Sequence, residues 1–111
     1  MQGRPKPVQF HGTAREDMRK FPDEAKKEMG HQIHRLQHGL DPVNYKDMNS
    51  VGPGAREIRI RCEDGIFRTI YVAKFDDKIH ILHAFQKKTQ KTSKNDIKLA
   101  KERYKTLKRY I

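Results

Sequence analysis

The chain has no tryptophan and one cysteine, and each shortage narrows what it can be. A single thiol, Cys62, excludes an internal disulfide and any zinc site built from several cysteines. No segment approaches the roughly 20 apolar residues that a membrane span requires. The opening MQGRPKP lacks the apolar run of a secretory signal, so a soluble, cytoplasmic protein with no membrane partner is expected. Only 34% of the residues are hydrophobic and 35% are charged, so a core can form only if the apolar residues fall on consistent faces. Residues 1–111 are expected to make one domain around one modest core, with residues 1–7 loose.

Catalytic signatures are also scarce. There is no nucleophile elbow, Walker motif or dinucleotide fingerprint. The Gly52-Pro53-Gly54 run lacks the Lys-Ser/Thr sequel of a phosphate loop and reads as a turn. His31, His34 and His38 are spaced for one side of a helix, but no carboxylate or cysteine completes a site, so neither metal nor cofactor is expected.

What the chain does have is positive charge. It carries 25 Lys and Arg against 14 Asp and Glu, a net +11. Such an excess favours a polyanionic partner, because neutralising phosphates releases counterions. The excess is uneven, since Lys87 to Ile111 holds ten of the basic residues and only two acids.

The order of elements follows from periodicity and punctuation. Val8 to Phe10 can form a short strand. Thr13 and Glu16 have capping-box spacing and open a helix carrying Ala14, Met18 and Phe21 on one face. Pro22 suits the first turn of a second helix, with Asp23 and Glu24 near its positive end. Ala25, Met29, Ile33, Leu36 and Leu40 make that helix's apolar stripe, and Gly39 stops it. A loop with a short strand at Tyr45 to Met48 follows. Near the C-terminus, Ser93 and Asp96 repeat the capping-box pattern. They open a helix whose apolar stripe is Ile97, Ala100, Tyr104, Leu107 and Ile111. Lys94, Lys98, Lys101, Lys105 and Lys108 form a second stripe, either a solvated face or, with Lys91, a surface for RNA or the ribosome.

Between these helices, Arg56 to Lys88 reads as a three-stranded meander joined by turns at Asp64-Gly65 and Asp76-Asp77. Pairing outward from Asp64-Gly65 sets Arg61 against Arg68 and Arg59 against Ile70. Alternation then gathers Glu57, Arg59, Arg61 and Arg68 on one face. Ile58, Ile60, Cys62, Phe67 and Tyr71 fall on the other, which should pack on the helices. Like charges opposite one another are destabilising, and such a cost tends to sit where function requires it. The plain alternative is a solvated face with Glu57 neutralising one arginine. The third strand has two registers. A two-residue Asp76-Asp77 turn puts His83, Phe85 and Lys87 on the arginine face, whereas a three-residue turn puts His80 and Lys88 there.

Fixed cations on a strand face suit cleavage of an RNA phosphodiester by its own 2′-OH. The substrate supplies the nucleophile, and guanidinium groups stabilise the charge gathered on phosphate oxygens. Arginine cannot act as the base at neutral pH, so a lysine of lowered pKa or His83 would serve, with Tyr71 or Tyr104 nearby in unknown geometry.

The runs E-I-R-I-R (57–61), G-x-F-R-x-I-Y-V (65–72), I-x-I-L-H-A-F-x-K-K-T-Q-K-T (79–92) and S-x-x-D-I-x-x-A (93–100) resemble the RelE/ParE superfamily of toxins. Within it they are most similar to the HigB-like, phage-derived host-killing type of toxin–antitoxin systems. That resemblance implies an α+β, RelE-like (microbial RNase-like) fold, with a twisted, mainly antiparallel sheet, two N-terminal helices and one C-terminal helix. It implies a ribosome-dependent mRNA endonuclease held inactive by a cognate antitoxin, commonly a helix-turn-helix protein. Arg59, Arg61 and Arg68 fall on its basic strand positions, Lys87 or Lys88 on the basic group after the last strand, and His83 in its L-H-x-F element. Some members use a C-terminal tyrosine as acid or base, and neither Tyr104 nor Tyr110 is equated with it. Two other readings share the fold: a ParE-like poison of DNA gyrase, and a relative without toxicity that only binds RNA or protein.

Overall fold

The structure is a computed structural model and describes residues 4–87 and 92–108. In chain order the elements are β1 (Val8–Phe10), α1 (Ala14–Arg19), α2 (Asp23–Gln37), β2 (Tyr45–Asp47), β3 (Ala55–Cys62), β4 (Gly65–Val72), β5 (Ile79–Lys87) and α3 (Lys94–Lys108). The expected α+β architecture is present, with the helix pair placed after the first strand. The five strands form one sheet in the order β1-β5-β4-β3-β2. Only β1 is parallel to its neighbour, pairing Val8 with Ile79 and Phe10 with Ile81.

Helices α1 and α2 cover one face of the sheet. Ala25, Met29, Ile33 and Leu36 recur at helical spacing and pack, with Phe21, against Ile58, Ile60, Phe67, Ile79 and Ile81. Pro22, with φ −55° and ψ 153°, stands just before α2 and separates it from α1. At the other end of α2, Gly39 takes φ +79°. The Leu40 N–H reaches the Arg35 carbonyl and the Gly39 N–H the Leu36 carbonyl, the paired bonds of a glycine-terminated helix. The chain has therefore left the helix before Leu40, which is 51% exposed instead of completing the stripe. The expected Thr13 capping box is absent too; Thr13 Oγ1 donates to Asp17 Oδ2 at 2.8 Å and makes no cap bond.

The opposite face is not left open, as the meander alone suggested. It carries Ala55, Ile70, Val72, Leu82 and Phe85, too much apolar surface to leave in water, and α3 covers it with Ala100, Tyr104 and Leu107. Tyr104 lies so close over Gly52 that a β-carbon there would come within 2.5 Å of its ring, and its hydroxyl donates to the Pro53 carbonyl at 2.6 Å. The Gly-Pro-Gly run is thus a turn shaped to receive this ring.

The strand registers place the charges. The β3–β4 hairpin closes on Cys62 opposite Gly65, so the two-residue loop is Glu63-Asp64 and not Asp64-Gly65. Glu63 and Asp64 keep ordinary negative φ, and the glycine's φ of +129° is spent on the first residue of β4. Arg59, not Arg61, therefore stands opposite Arg68. The partner changes by two residues, which in a strand leaves every side chain on its original face. In the second turn both Asp76 (φ 57°) and Asp77 (φ 53°) are left-handed, and the Lys78 N–H bonds the Phe75 carbonyl at 3.1 Å. A bulge at Ile70/Tyr71 then sets Phe85 against Arg68, His83 against Ile70 and Lys87 against Ile66. This is the first of the two registers, with His83, Phe85 and Lys87 on the arginine face.

Candidate functional site

On the arginine face the central contact is Arg59 against Arg68. The Arg59 N–H turns away from β4 to the Asn44 carbonyl at 3.1 Å. The pair is therefore of the type without backbone bonds between its members, in which side chains lie closest. Two guanidinium groups so placed repel, and Glu57, two residues back on the same face, bridges them and offsets one of the two charges. Its carboxylate, 0% exposed, accepts from Arg68 Nη1 at 3.0 Å and Arg59 Nε at 3.2 Å on Oε1, and from the Thr92 hydroxyl at 2.6 Å on Oε2. Arg68 Nη1 also donates to Thr92 Oγ1 at 3.1 Å, and Arg68 is only 1% exposed. Buried ions require this degree of pairing, because removing one partner strands the other's charge. Arg68 is thus an element of the interior and not the surface cation its sequence position suggested.

Towards the hairpin tip the face opens. Arg59 is partly exposed, Arg61 is exposed, and together with Asn44, Ile66 and Arg68 they line a cleft of about 120 Å³. Arg61 has no carboxylate partner among the described residues. Guanidinium forks suit phosphate oxygens, which they can bind by two parallel hydrogen bonds.

A second cluster sits where α3 begins. Ser93 Oγ accepts from the Asp96 N–H at 3.2 Å, so Ser93 caps the helix as its spacing implied. Asp96 does far more than complete a cap. Its Oδ1 contacts His83 Nε2 at 2.7 Å, and its Oδ2 contacts Lys87 Nζ at 2.6 Å and accepts from Ser93 Oγ at 2.6 Å. Burial pushes the Asp96 carboxyl up, but the hydrogen bonds from Lys87, Ser93 and His83 outweigh it and hold it below its ordinary range. Burial dominates at His83 and lowers its pKa despite Asp96, so the ring is neutral near pH 7. His83 stacks on Phe85 with centroids 4.5 Å apart, and its Nδ1 is buried without a hydrogen-bond partner. With Nε2 directed at a carboxylate, the tautomer that satisfies Asp96 leaves a lone pair on Nδ1.

The expected site residues thus separate into groups. Arg59, Arg61 and Arg68 share the cleft; His83 and Lys87 share Asp96, and Phe85, paired with Arg68, lies between the groups. Lys88 and Lys91 lie outside the described residues, as does the Lys108 side chain. Lys94, Lys98, Lys101 and Lys105 are exposed along α3. Tyr71 points to the α1–α2 side, and burial pushes its hydroxyl up to about 12 although Arg56 opposes the shift. Tyr104 is engaged with Pro53. His31 and His34 are exposed on α2 and His38 is exposed at its C-cap, the last two with rings 4.4 Å apart, and no group of three metal-ligating side chains occurs among the described residues. Asn44, Glu57, Thr92 and Asp96 were not singled out for these roles from the sequence. Glu57 did stand among arginines, and Asp96 did carry a cap signature that made it look purely local.

An α+β protein with a sheet-borne arginine cleft beside a histidine–carboxylate pair is the class that these elements define. The model of the phage-derived Gp49-like proteins (DUF891) matches residues 16–105, and the chain belongs to that family. No curated protein matches the chain. Among the described residues no helix is long and apolar enough to cross a membrane.

Proposed function

We propose that the chain is the toxin of a toxin–antitoxin pair and acts as an endoribonuclease on mRNA at the ribosome. The observation that carries this reading is the cleft where Arg59 and Arg61 stand partly free over the buried Arg68. Membership of the Gp49-like family supports it, as does the net charge of +11. In this mechanism the 2′-OH gives up its proton and attacks the adjoining phosphorus, the P–O5′ bond breaks, the 5′-oxygen leaves as a hydroxyl with a proton from water, and a 2′,3′-cyclic phosphate results. Arg59 and Arg61 bind the non-bridging oxygens and stabilise their added charge. Arg68 does not contact the phosphate directly; with Glu57 it fixes where Arg59 can point. His83, held by Asp96, is the candidate base, and because its Nδ1 is buried it can take the 2′-OH proton only after the side chains around it rearrange on substrate binding. Lys87 contributes charge, and the α3 lysines hold the RNA or ribosome backbone. A cognate antitoxin, of helix-turn-helix type by the RelE/HigB resemblance, would mask this surface.

The test is expression of the full chain alone beside Arg61→Ala, with growth and mRNA 5′ ends followed together. Arg61 is the right probe, because Arg68→Ala would also disrupt the interior. Arrest with new mRNA ends that Arg61→Ala abolishes is the expected result. Equal cleavage by both proteins would overturn the site. Gyrase-linked DNA breaks with intact mRNA would overturn the reaction.

A further inference from the structure

A second recess lies around the sheet edge from the arginine cleft. It is a groove of about 770 Å³ between α2 and the end of β3. That volume falls in the range of about 300–1,000 Å³ usual for small-molecule sites. The groove exists because β2 is short, with pairing that ends at Tyr45 opposite Ile58 and one more bond from the Arg59 N–H to the Asn44 carbonyl. Alternation turns the main-chain groups of Arg61 the same way as those of Arg59. Beside Arg61 no strand follows among the described residues, so its N–H and C=O face the groove. The outer loop is held in place by Gln32, which accepts from the Val43 N–H at 2.8 Å and donates to Glu28 at 2.9 Å.

Two features give the groove a chemical direction. Asn44, Arg59 and Arg61 line both this groove and the arginine cleft, so the recesses meet across the sheet edge. The far wall on α2 carries Glu24 and Glu28 together with Lys27 and His31, and Ile60 contributes apolar floor. The recess thus runs from guanidinium groups, past an apolar patch and an open strand edge, to carboxylates. A nucleotide has the matching order of parts, with an anionic phosphate, a flat apolar base face, and donors and acceptors on the base edge. Single-stranded RNA is read in this way, by bases splayed into pockets and hydrogen-bonded on their edges. A carboxylate accepts from an exocyclic amino group, as glutamate does from cytosine N4.

We infer that the α2–β3 groove is a nucleobase subsite. It takes the base adjoining the phosphate held by Arg59 and Arg61, and Glu28 favours a base with an exocyclic amino group over uracil. The inference rests on the RNA reading above and adds where the neighbouring nucleotide goes and what selects it.

Cys62 lines the groove and is the chain's only thiol, so its alkylation reports occupancy without requiring turnover. The experiment measures iodoacetamide labelling of the intact chain with 2′-O-methyl dinucleotides, which cannot be cleaved, bearing cytosine, adenine or uracil, and with inorganic phosphate. Cytosine and adenine dinucleotides are expected to slow labelling several-fold, with uracil and phosphate having little effect. Glu28→Gln is expected to bring the uracil and cytosine dinucleotides to similar protection, and Arg61→Ala to weaken protection by every dinucleotide. No protection by any dinucleotide, while the wild type still cleaves mRNA, would overturn the subsite and leave the nuclease reading intact. Equal protection by uracil and cytosine in the wild type, or discrimination that survives Glu28→Gln, would overturn the selection. Absence of mRNA cleavage in the expression experiment is the separate result that removes the reading beneath it.

Discussion

Two parts of one sheet face use arginine in opposite ways. Near the centre, Arg68 is sealed under α3 and bound to Glu57 and Thr92. Two residues towards the hairpin tip, Arg61 is exposed beside an open edge. Both lie on the same face, so alternation alone does not distinguish them. What differs is the cover: apolar Ile70, Val72 and Phe85 draw α3 over the inner part, and α3 does not line the cleft near Ile66 and Arg61. A guanidinium under that cover holds the fold together, and one beyond it is available to a ligand.

The comparison is broken most severely at Glu57. Glu57→Ala removes the carboxylate that neutralises a buried Arg68 and should lower unfolding free energy by about 3–5 kcal/mol, as read by urea denaturation. A loss similar to that of an ordinary surface substitution would show that the network is not buried in solution. Arg61→Ala should do the reverse. It is expected to leave stability within about 0.5 kcal/mol and to lower mRNA cleavage roughly tenfold or more, the loss for a charged hydrogen bond to phosphate. If unfolding midpoint and cleavage fell together, the division between the inner and outer arginines would be wrong.

Ser93→Ala tests how the cover is attached. It removes a helix cap and a hydrogen bond to Asp96, and about 1 kcal/mol of stability should go with it. A larger effect on the labelling of Cys62 than on stability would link α3 to the groove, which has no contact with it.

Acid should weaken the interior before it affects the open end. Burial lowers His11, His80 and His83 below the unfolded value of 6.5, with Arg103 also opposing His11 and Asp96 favouring the charged form at His83. The native state therefore binds fewer of these protons than the unfolded chain. Their contribution is present above pH 6.5 and is lost as pH falls through the lower folded values. His11 Nε2 and His80 Nδ1 lie 3.0 Å apart and share one hydrogen bond, which charging both rings would break. The urea midpoint should fall between about pH 7.5 and about pH 5.5 in the wild type, and His80→Gln should reduce that slope. A flat wild-type profile contradicts the assignment. The smallest effect is expected on α3, where Lys98→Ala should change the slope of log affinity for single-stranded RNA against log salt by about 0.7 if it contacts one phosphate. An unchanged slope would make that lysine merely solvating.

Much of this arrangement was legible in the chain. Glu57, Arg59, Arg61 and Arg68 could be placed on one face because strand alternation tolerates a two-residue error, and the error made at Asp64-Gly65 was of that size. The partner of Arg68 was misread because a glycine next to an aspartate signals a turn without saying which position in it the glycine takes. Burial of Arg68 was less visible, as it depends on α3 arriving from 24 residues away through Thr92. The signal was there in the apolar stripe of α3, which needed a partner surface, and in Ile70, Val72 and Phe85, which needed a cover. Asp96 was hidden for a similar reason. Its cap bond is local and readable, whereas His83 and Lys87 reach it only after β5 is in register.

The parallel pairing of β1 carries a kinetic consequence. Val8 meets Ile79, a strand that leaves the ribosome much later than β1 does. The hairpins of β3, β4 and β5 can close from neighbouring segments, but β1 must wait for β5, a loop closure that slows folding. During synthesis β1 therefore stays without its partner strand until Ile79 to Ile81 have emerged, exposing an open strand edge in the nascent chain meanwhile.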